Sequence, residues 1–316
     1  MAQESERMKE FSKRILEHLR LLGPARRIWS LLTRTITTCY QARLKSPYWR
    51  EQHFNTLSST YAVSDHPNEN YVVKTSDKII GKLLFCRGDF DLRKFERALK
   101  IIDVERDARK PRKVFDVGAN IGPICIPAVR RGYVKHAIAF EPDPENFRLL
   151  RINAILNGVE NLIEFHQVAL GAEKGQAQLA LNTINHGDHR ILPANVTASV
   201  NSITVPVHCL DDYISKDDDF LSILWIDVQG YETQVLRGAQ SALAKACPLV
   251  LEFTPSDLKQ NGSFDLFIEL LTQGTYKKFF DLEQESPTIN VVNMENLDTL
   301  AKTLASRDTF TDILVI

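Results

Sequence analysis

The chain has 316 residues, 44% of them hydrophobic and 25% charged, so it can bury a full hydrophobic core and is not disordered over its whole length. Its formal net charge of -1 lacks the basic surplus that binding along a nucleic-acid backbone requires, and no stretch reaches the roughly 18 to 20 uninterrupted apolar residues of a membrane span. The charge is unevenly spread: the first fifty residues hold eleven Lys and Arg against four Glu, so the remainder is acidic.

The first residues, MAQESERMKEFSKR, lack the basic, apolar and small-residue succession of a secretory signal, which points to a cytoplasmic protein. Phe11, Ile15, Leu19 and Leu22 recur at helical spacing until Gly23-Pro24 stops them, and Ala25 to Tyr40 reads as a second helix. This basic amphipathic arm either packs its apolar stripe on the rest of the protein or lies on an anionic membrane or a partner. Pro47 to Asn70 is rich in Ser, Thr, Asn and Pro and reads as an irregular connection, so residues 1–70 form a helical extension and residues 71–316 the main domain. The five cysteines are scattered, with no CxxC and no nearby His at ligand spacing, and no metal site is expected.

Asp89 to Asp107 reads as a helix carrying Phe90, Leu92, Phe95, Leu99 and Ile102. From Lys113 strands and helices alternate: VFDV, a helix Ile121 to Arg131, HAIAF, a helix Pro144 to Asn157, then LIEFHQVAL. ILWIDV, a helix Glu232 to Ala246, PLVLEF, a helix Phe264 to Thr272 and strands near Tyr276 to Phe280 and Asp312 to Ile316 complete the series. Short apolar strands separated by helices predict an α/β fold with a Rossmann-like, mainly parallel sheet and helices on both faces.

The segment Val114 to Gly122, VFDVGANIG, is a strand that breaks into glycines just before a helix. Gly118 suits a positive φ and a bare backbone beside a ligand, Gly122 suits close packing of the next helix, and Asp116 either orients the loop amides or holds a ligand's ammonium group. The next strand, HAIAF, ends about twenty residues after the glycines in Glu141, a spacing that suits hydrogen bonds from both hydroxyls of a ribose. Asp143 as N-cap and Pro144 at the first helical position start the following helix without it. A nicotinamide dinucleotide site reads G-x-G-x-x-G, but Asn120 occupies the position of its second glycine.

The loop instead resembles motif I of class I S-adenosylmethionine methyltransferases. Together with AFEPDP, Val168 to Gly171 (VALG), Leu224 to Glu232 (LWIDVQGYE), Val235 to Gly238 (VLRG) and Pro248 to Phe253 (PLVLEF), the chain resembles the FkbM family of methyltransferases over a core of residues 113–253. The resemblance implies S-adenosylmethionine as cofactor, held by Asp116, Gly118, Ala119, Asn120 and Gly122 of the first loop, by Glu141 and Pro142 of the second, and by Asp227. It also implies O-methylation of a hydroxyl on a sugar or polyketide-like small molecule. The family often has a lysine where this chain has Trp225, which is either core or part of the substrate side.

Ligands of such sheets lie beyond the carboxyl ends of the strands, which selects Asp227 as first candidate for a site carboxylate near the methyl group and Glu252 as second candidate for the base. Asp227 reads equally as the residue that starts the turn before Gly230. The polar segment Asn182 to Arg190, NTINHGDHR, suits a substrate lid, with His186 as its candidate for proton transfer and His189 beside it. Two further readings stay open: a methyltransferase-like binding protein without chemistry, and an NAD(P)-dependent oxidoreductase.

Overall fold

The computed structural model describes residues 46–106, 113–192, 201–215, 222–272, 276–284, 289–307 and 309–316. The basic arm expected over residues 4–40 lies outside them. Two compact units divide the chain, Met1–His53 and Phe54–Ile316. Residues 47–70 are more regular than their composition predicts: helix α1 spans Pro47–Thr56, and strand β1 (Tyr61–Val63) pairs antiparallel with β2 (Val72–Lys74). The boundary expected at residue 70 thus falls inside this two-stranded pair. Among the described residues no helix is long and apolar enough to cross a membrane.

Helices α2 (Ile80–Arg87) and α3 (Leu92–Glu105) lead into an eight-stranded sheet. Its strands in chain order are β3 (Lys113–Val117), β4 (His136–Phe140), β5 (Ile163–His166), β10 (Ser222–Ile226), β11 (Leu249–Phe253), β12 (Lys278–Asp281), β13 (Asn290–Val291) and β14 (Thr311–Val315). Their spatial order is β13-β12-β14-β11-β10-β3-β4-β5. The run β11-β10-β3-β4-β5 is parallel, and β14 lies antiparallel between β11 and β12. β3 therefore has the chain running outward to β4 and β5 on one side and to β10 and β11 on the other. This reversal of strand order is the topological switch point at which doubly wound sheets bind ligands.

The strands read as continuous apolar runs because both faces are covered. Side chains alternate between two cores. Val114, Ala137, Ile223 and Trp225 join one with Phe95 of α3, Ile126 of α4 (Cys125–Arg130) and Leu150 of α5 (Pro144–Leu156). Phe115, Ile138, Leu224 and Leu251 join the other. That second core is covered by α6 (Glu232–Arg237), α7 (Gln240–Ala244), α8 (Pro255–Gln260), α9 (Phe264–Thr272) and α10 (Met294–Ser306). Trp225 is buried with its ring 5.8 Å from that of Phe95, so it is a core residue.

Two predicted elements divide. The run LIEFHQVAL serves two sheets: β5 edges the large one, and β6 (Ala169–Leu170) joins a smaller sheet of order β6-β9-β7-β8 with β7 (Gly175–Ala180), β8 (Arg190–Ile191) and β9 (Ser202–His208). The helix read over Glu232 to Ala246 breaks at Gly238, because the chain there passes so close to Gly171 that a Cβ would lie 2.0 Å from its carbonyl oxygen. Gly171 and Gly238, both in the family-like motifs, are thus one backbone contact rather than ligand residues. The helix expected from Ile121 starts only at Cys125, since Gly122 has a φ of +93° that no helix contains.

Candidate functional site

The loop after β3 is built by backbone bonds. The Gly118 and Ala119 N–H groups donate to the Phe140 carbonyl at 3.0 and 2.9 Å, tying the ends of β3 and β4 together. A Cβ on Gly118 would meet the Asp227 carbonyl oxygen at 1.9 Å, and its φ is +87°, so glycine is required where β3 and β10 open at the switch point. Asp116 turns away: it is buried, and its Oδ2 accepts from the Cys125 N–H at 3.0 Å at the start of α4. Burial, opposed by that bond, pushes its carboxyl up to about 7. Gly122 leaves the space taken by Ile126 and Leu150. Of the first loop's candidates, Gly118 and Asn120 line a cleft, while Asp116, Ala119 and Gly122 shape it from behind.

Glu141 ends the next strand with 5% of its surface exposed. One oxygen accepts from the Asn120 N–H and the other from the Asp143 N–H, both at 2.8 Å, so this carboxyl clasps the two loops together. Burial drives it up to about 8 against the pull of those amides. Asp143 is free to cap α5, accepting from Glu145 and Asn146 N–H, with Pro144 following. Each carboxylate oxygen has lone pairs beyond the one its amide uses, so Glu141 retains acceptors on the cleft side, where Pro142 also lines the wall.

The opposite wall comes from β10. Asp227 Oδ1 and Glu252 Oε2 share the amide of Gln229, whose Nε2 donates to them at 2.7 and 2.8 Å. Gln229 adopts a left-handed φ of 53° to do so. Burial first, and then Asp227, raise Glu252 to about 10, so it holds its proton at neutral pH. Burial also raises Asp227 above the ordinary carboxylate range, with the Gln229 hydrogen bond opposing. Asp227 lines the cleft and Glu252 lies behind it. Glu232 accepts from the Gly230 and Val228 N–H groups at 3.1 and 3.3 Å, fixing the turn that presents them.

The segment 182–190 closes the cleft from above. Asn120 Nδ2 and Asn146 Nδ2 donate to the His186 carbonyl at 3.0 and 2.9 Å, and the Lys78 N–H donates to the Ile184 carbonyl at 2.8 Å. At its far end Arg190 pairs with Asp188 and Asp257, each at 2.6 Å. The His186 ring is turned to the Ser76 hydroxyl at 3.2 Å, and burial followed by Lys74 lowers its basicity. The resulting cleft brings together Gly118, Asn120, Glu141, His186 and Asp227. Gln229 and Tyr231 also line it. Both stand in the LWIDVQGYE motif, but nothing in their residue type distinguishes them from turn residues. Among the described residues no three His, Cys, Asp or Glu are grouped as metal ligands.

Gly118 offers bare backbone and Glu141 offers acceptors for ribose hydroxyls. The Asn120 side chain, where a dinucleotide fingerprint has its second glycine, accepts from the Ile121 N–H and donates to the His186 carbonyl. A family model described as the methyltransferase FkbM domain matches residues 116–278, just over half of the chain. No curated protein matches the chain. The chain is similar in structure to a methyltransferase FkbM from Methylobacillus flagellatus (16% identity, TM-score 0.42), covering 66% of this chain and 44% of that one, so it spans under half the length of that protein. It is also similar to an RNA methyltransferase from Salinibacter ruber bound to S-adenosyl-L-homocysteine (19%, TM-score 0.27; 50% of this chain, 72% of that). An O-methyltransferase from Bacillus cereus in complex with SAH is a third such structure (10%, TM-score 0.38; 71% and 79%).

Proposed function

The chain belongs to the FkbM family of methyltransferases, and from that premise we propose that it binds S-adenosylmethionine in the cleft and methylates a hydroxyl of a small molecule such as a sugar or polyketide. The observation that carries the reading is the pairing of Gly118 and Glu141 on one wall with Asp227 on the other at the switch point of the sheet. S-Adenosylmethionine, when bound, would supply the methyl of its sulfonium to an in-line oxygen nucleophile, the C–S bond breaking to leave the thioether S-adenosylhomocysteine. Gly118 and Asn120 line its place in the cleft and Glu141 accepts from its ribose. Asp227 takes the proton from the acceptor hydroxyl as the oxygen–methyl bond forms. A carboxylate raised above its ordinary range is a stronger base for that step than an exposed one. Gln229 keeps Asp227 oriented, and Glu252, holding its own proton, leaves Asp227 as the carboxylate of the pair that accepts one. The lid excludes water from the reacting oxygen, and positioning of both reactants contributes the larger share, roughly 7 to 11 kcal/mol.

Calorimetric titration with S-adenosylmethionine, S-adenosylhomocysteine and NADPH at one ionic strength tests the reading. Selective binding of the two sulfur compounds is the expected result. Binding of NADPH alone, or of none of the three, overturns it.

A further inference from the structure

His189 has no place in the chemistry above, yet its ring lines the cleft and its surroundings fix which of its nitrogens carries the proton. The Asn182 backbone N–H donates to His189 Nδ1 at 3.0 Å. A backbone amide can only donate, so Nδ1 is the bare nitrogen and, in the neutral imidazole, the proton sits on Nε2. The ring is kept neutral: burial lowers its basicity, and His186, with ring centroids 5.7 Å apart, lowers it further against the opposing carboxylates of Asp143, Asp188 and Asp77. Asn182 is itself held. Its Oδ1 accepts from the Ile184 and Asn185 N–H groups, and its Nδ2 donates to Asp188, all at 3.0 Å. The donor to Nδ1 is therefore part of a rigid turn. Nε2–H has no partner among the described residues, and a donor left without one in a half-buried cleft favours a ligand that supplies an acceptor.

The rim on which His189 stands suggests that acceptor. Asp143, whose charge acts on His189, is the residue whose N–H donates to Glu141. A ribose has two hydroxyls, each with one proton and two lone pairs. Glu141 takes protons and cannot give one when ionised, so hydroxyl oxygens that donate to it still call for donors. We propose that His189 is a cofactor-binding residue whose Nε2–H donates to a ribose hydroxyl oxygen of the S-adenosyl group, opposite the Glu141 carboxylate that accepts from those hydroxyls. This rests on the cofactor reading under Proposed function. The lid thereby contributes to cofactor affinity as well as to the exclusion of water.

The test is titration of the full chain with S-adenosylhomocysteine and its 2′-deoxy and 3′-deoxy analogues, on wild type, His189→Phe and His189→Gln. His189→Phe should weaken S-adenosylhomocysteine binding about 3- to 10-fold, the worth of one neutral hydrogen bond. His189→Gln, which restores an N–H at similar reach, should recover most of the loss. The affinity penalty of one deoxy analogue, but not of the other, should be smaller in His189→Phe than in the wild type. Nitrogen-15 NMR of the histidine side chains in the wild-type complex should show His189 neutral and protonated at Nε2. Unchanged affinity in His189→Phe, both deoxy penalties intact in that variant, or a proton on Nδ1 would each overturn the assignment while leaving the cofactor reading standing. Failure of the wild type to bind S-adenosylhomocysteine at all would overturn both.

Discussion

Glu141 carries the most chemistry per atom. Its two oxygens already serve the Asn120 and Asp143 amides, and burial holds the ligand-free carboxyl near 8. On the proposed reading ribose hydroxyls donate to the ionised form, so binding would stabilise the charge and release a proton at pH 7. Affinity for S-adenosylhomocysteine should therefore rise with pH and flatten above about 8, falling by up to about tenfold per unit from pH 8 to 6. Titrations in buffers of different ionisation enthalpy should reveal the released proton, and a pH-independent affinity would remove Glu141 from the ribose. Glu141→Ala should weaken binding roughly 10- to 100-fold, and full affinity in a folded variant would likewise take Glu141 away from the ribose. Asp227→Asn answers a separate question. Its side chain keeps the shape that Gln229 holds but loses the basic oxygen, so cofactor affinity should persist while turnover falls by about 10²- to 10⁴-fold. Wild-type turnover would reduce Asp227 to a turn residue.

Among elements, the lid is the one whose behaviour is most exposed to test. Arg190 anchors its far end to Asp257 of α8, but the Arg190 side chain is 44% exposed, and such a pair is worth about 0–1 kcal/mol. Arg190→Ala should leave global stability nearly unchanged in urea unfolding while increasing limited proteolysis within residues 182–190, an increase that S-adenosylhomocysteine should suppress. Unaltered cleavage would mean that the Asn120 and Asn146 bonds to the His186 carbonyl, with the Lys78 bond to Ile184, hold the segment without Arg190. The strands and long helices of the large sheet were legible in the sequence because buried parallel strands are apolar throughout and α5 and α9 carry clear ends. The same apolar continuity hid the small sheet: Val168 to Leu170 looks like more of β5, and the β7–β9 ladder alternates only weakly. Gly118, Glu141 and Asp227 were legible as cleft residues because they stand at the carboxyl ends of strands that flank the switch point. Asp116 shares that position, yet its side chain faces α4 and the amide of Cys125, and no residue-type signal distinguishes the two faces of a strand buried on both. Tyr231 and His189 reach the cleft through tertiary folding of a turn and a lid, which spacing along the chain does not encode.

The whole molecule stores an unusual number of carboxyls away from water. Asp116, Glu232 and Asp312 are raised to about 7, Glu141 to about 8 and Glu252 to about 10, in each case chiefly by burial. The folded state thus binds more protons than the unfolded chain, whose carboxyls ionise near 4. Stability is then fully present below that unfolded value and is lost as pH rises through the folded ones. His186 and His189 act with the opposite sign, but their contribution is complete above about 6.5. Between pH 6.5 and 8.5 the melting temperature of the ligand-free protein should fall, at about 2–4 °C per kcal/mol lost, and scanning calorimetry showing no fall would contradict the burial assigned to these groups. The topology has an evolutionary corollary. The small sheet and the lid form one uninterrupted insert between β5 and β10, whereas Gly118, Glu141 and Asp227 all lie outside it. Two crossover points suffice to exchange that cassette between relatives, so on the proposed reading a chimera joined at the end of β5 and the start of β10 should take its acceptor range from the donor of the insert.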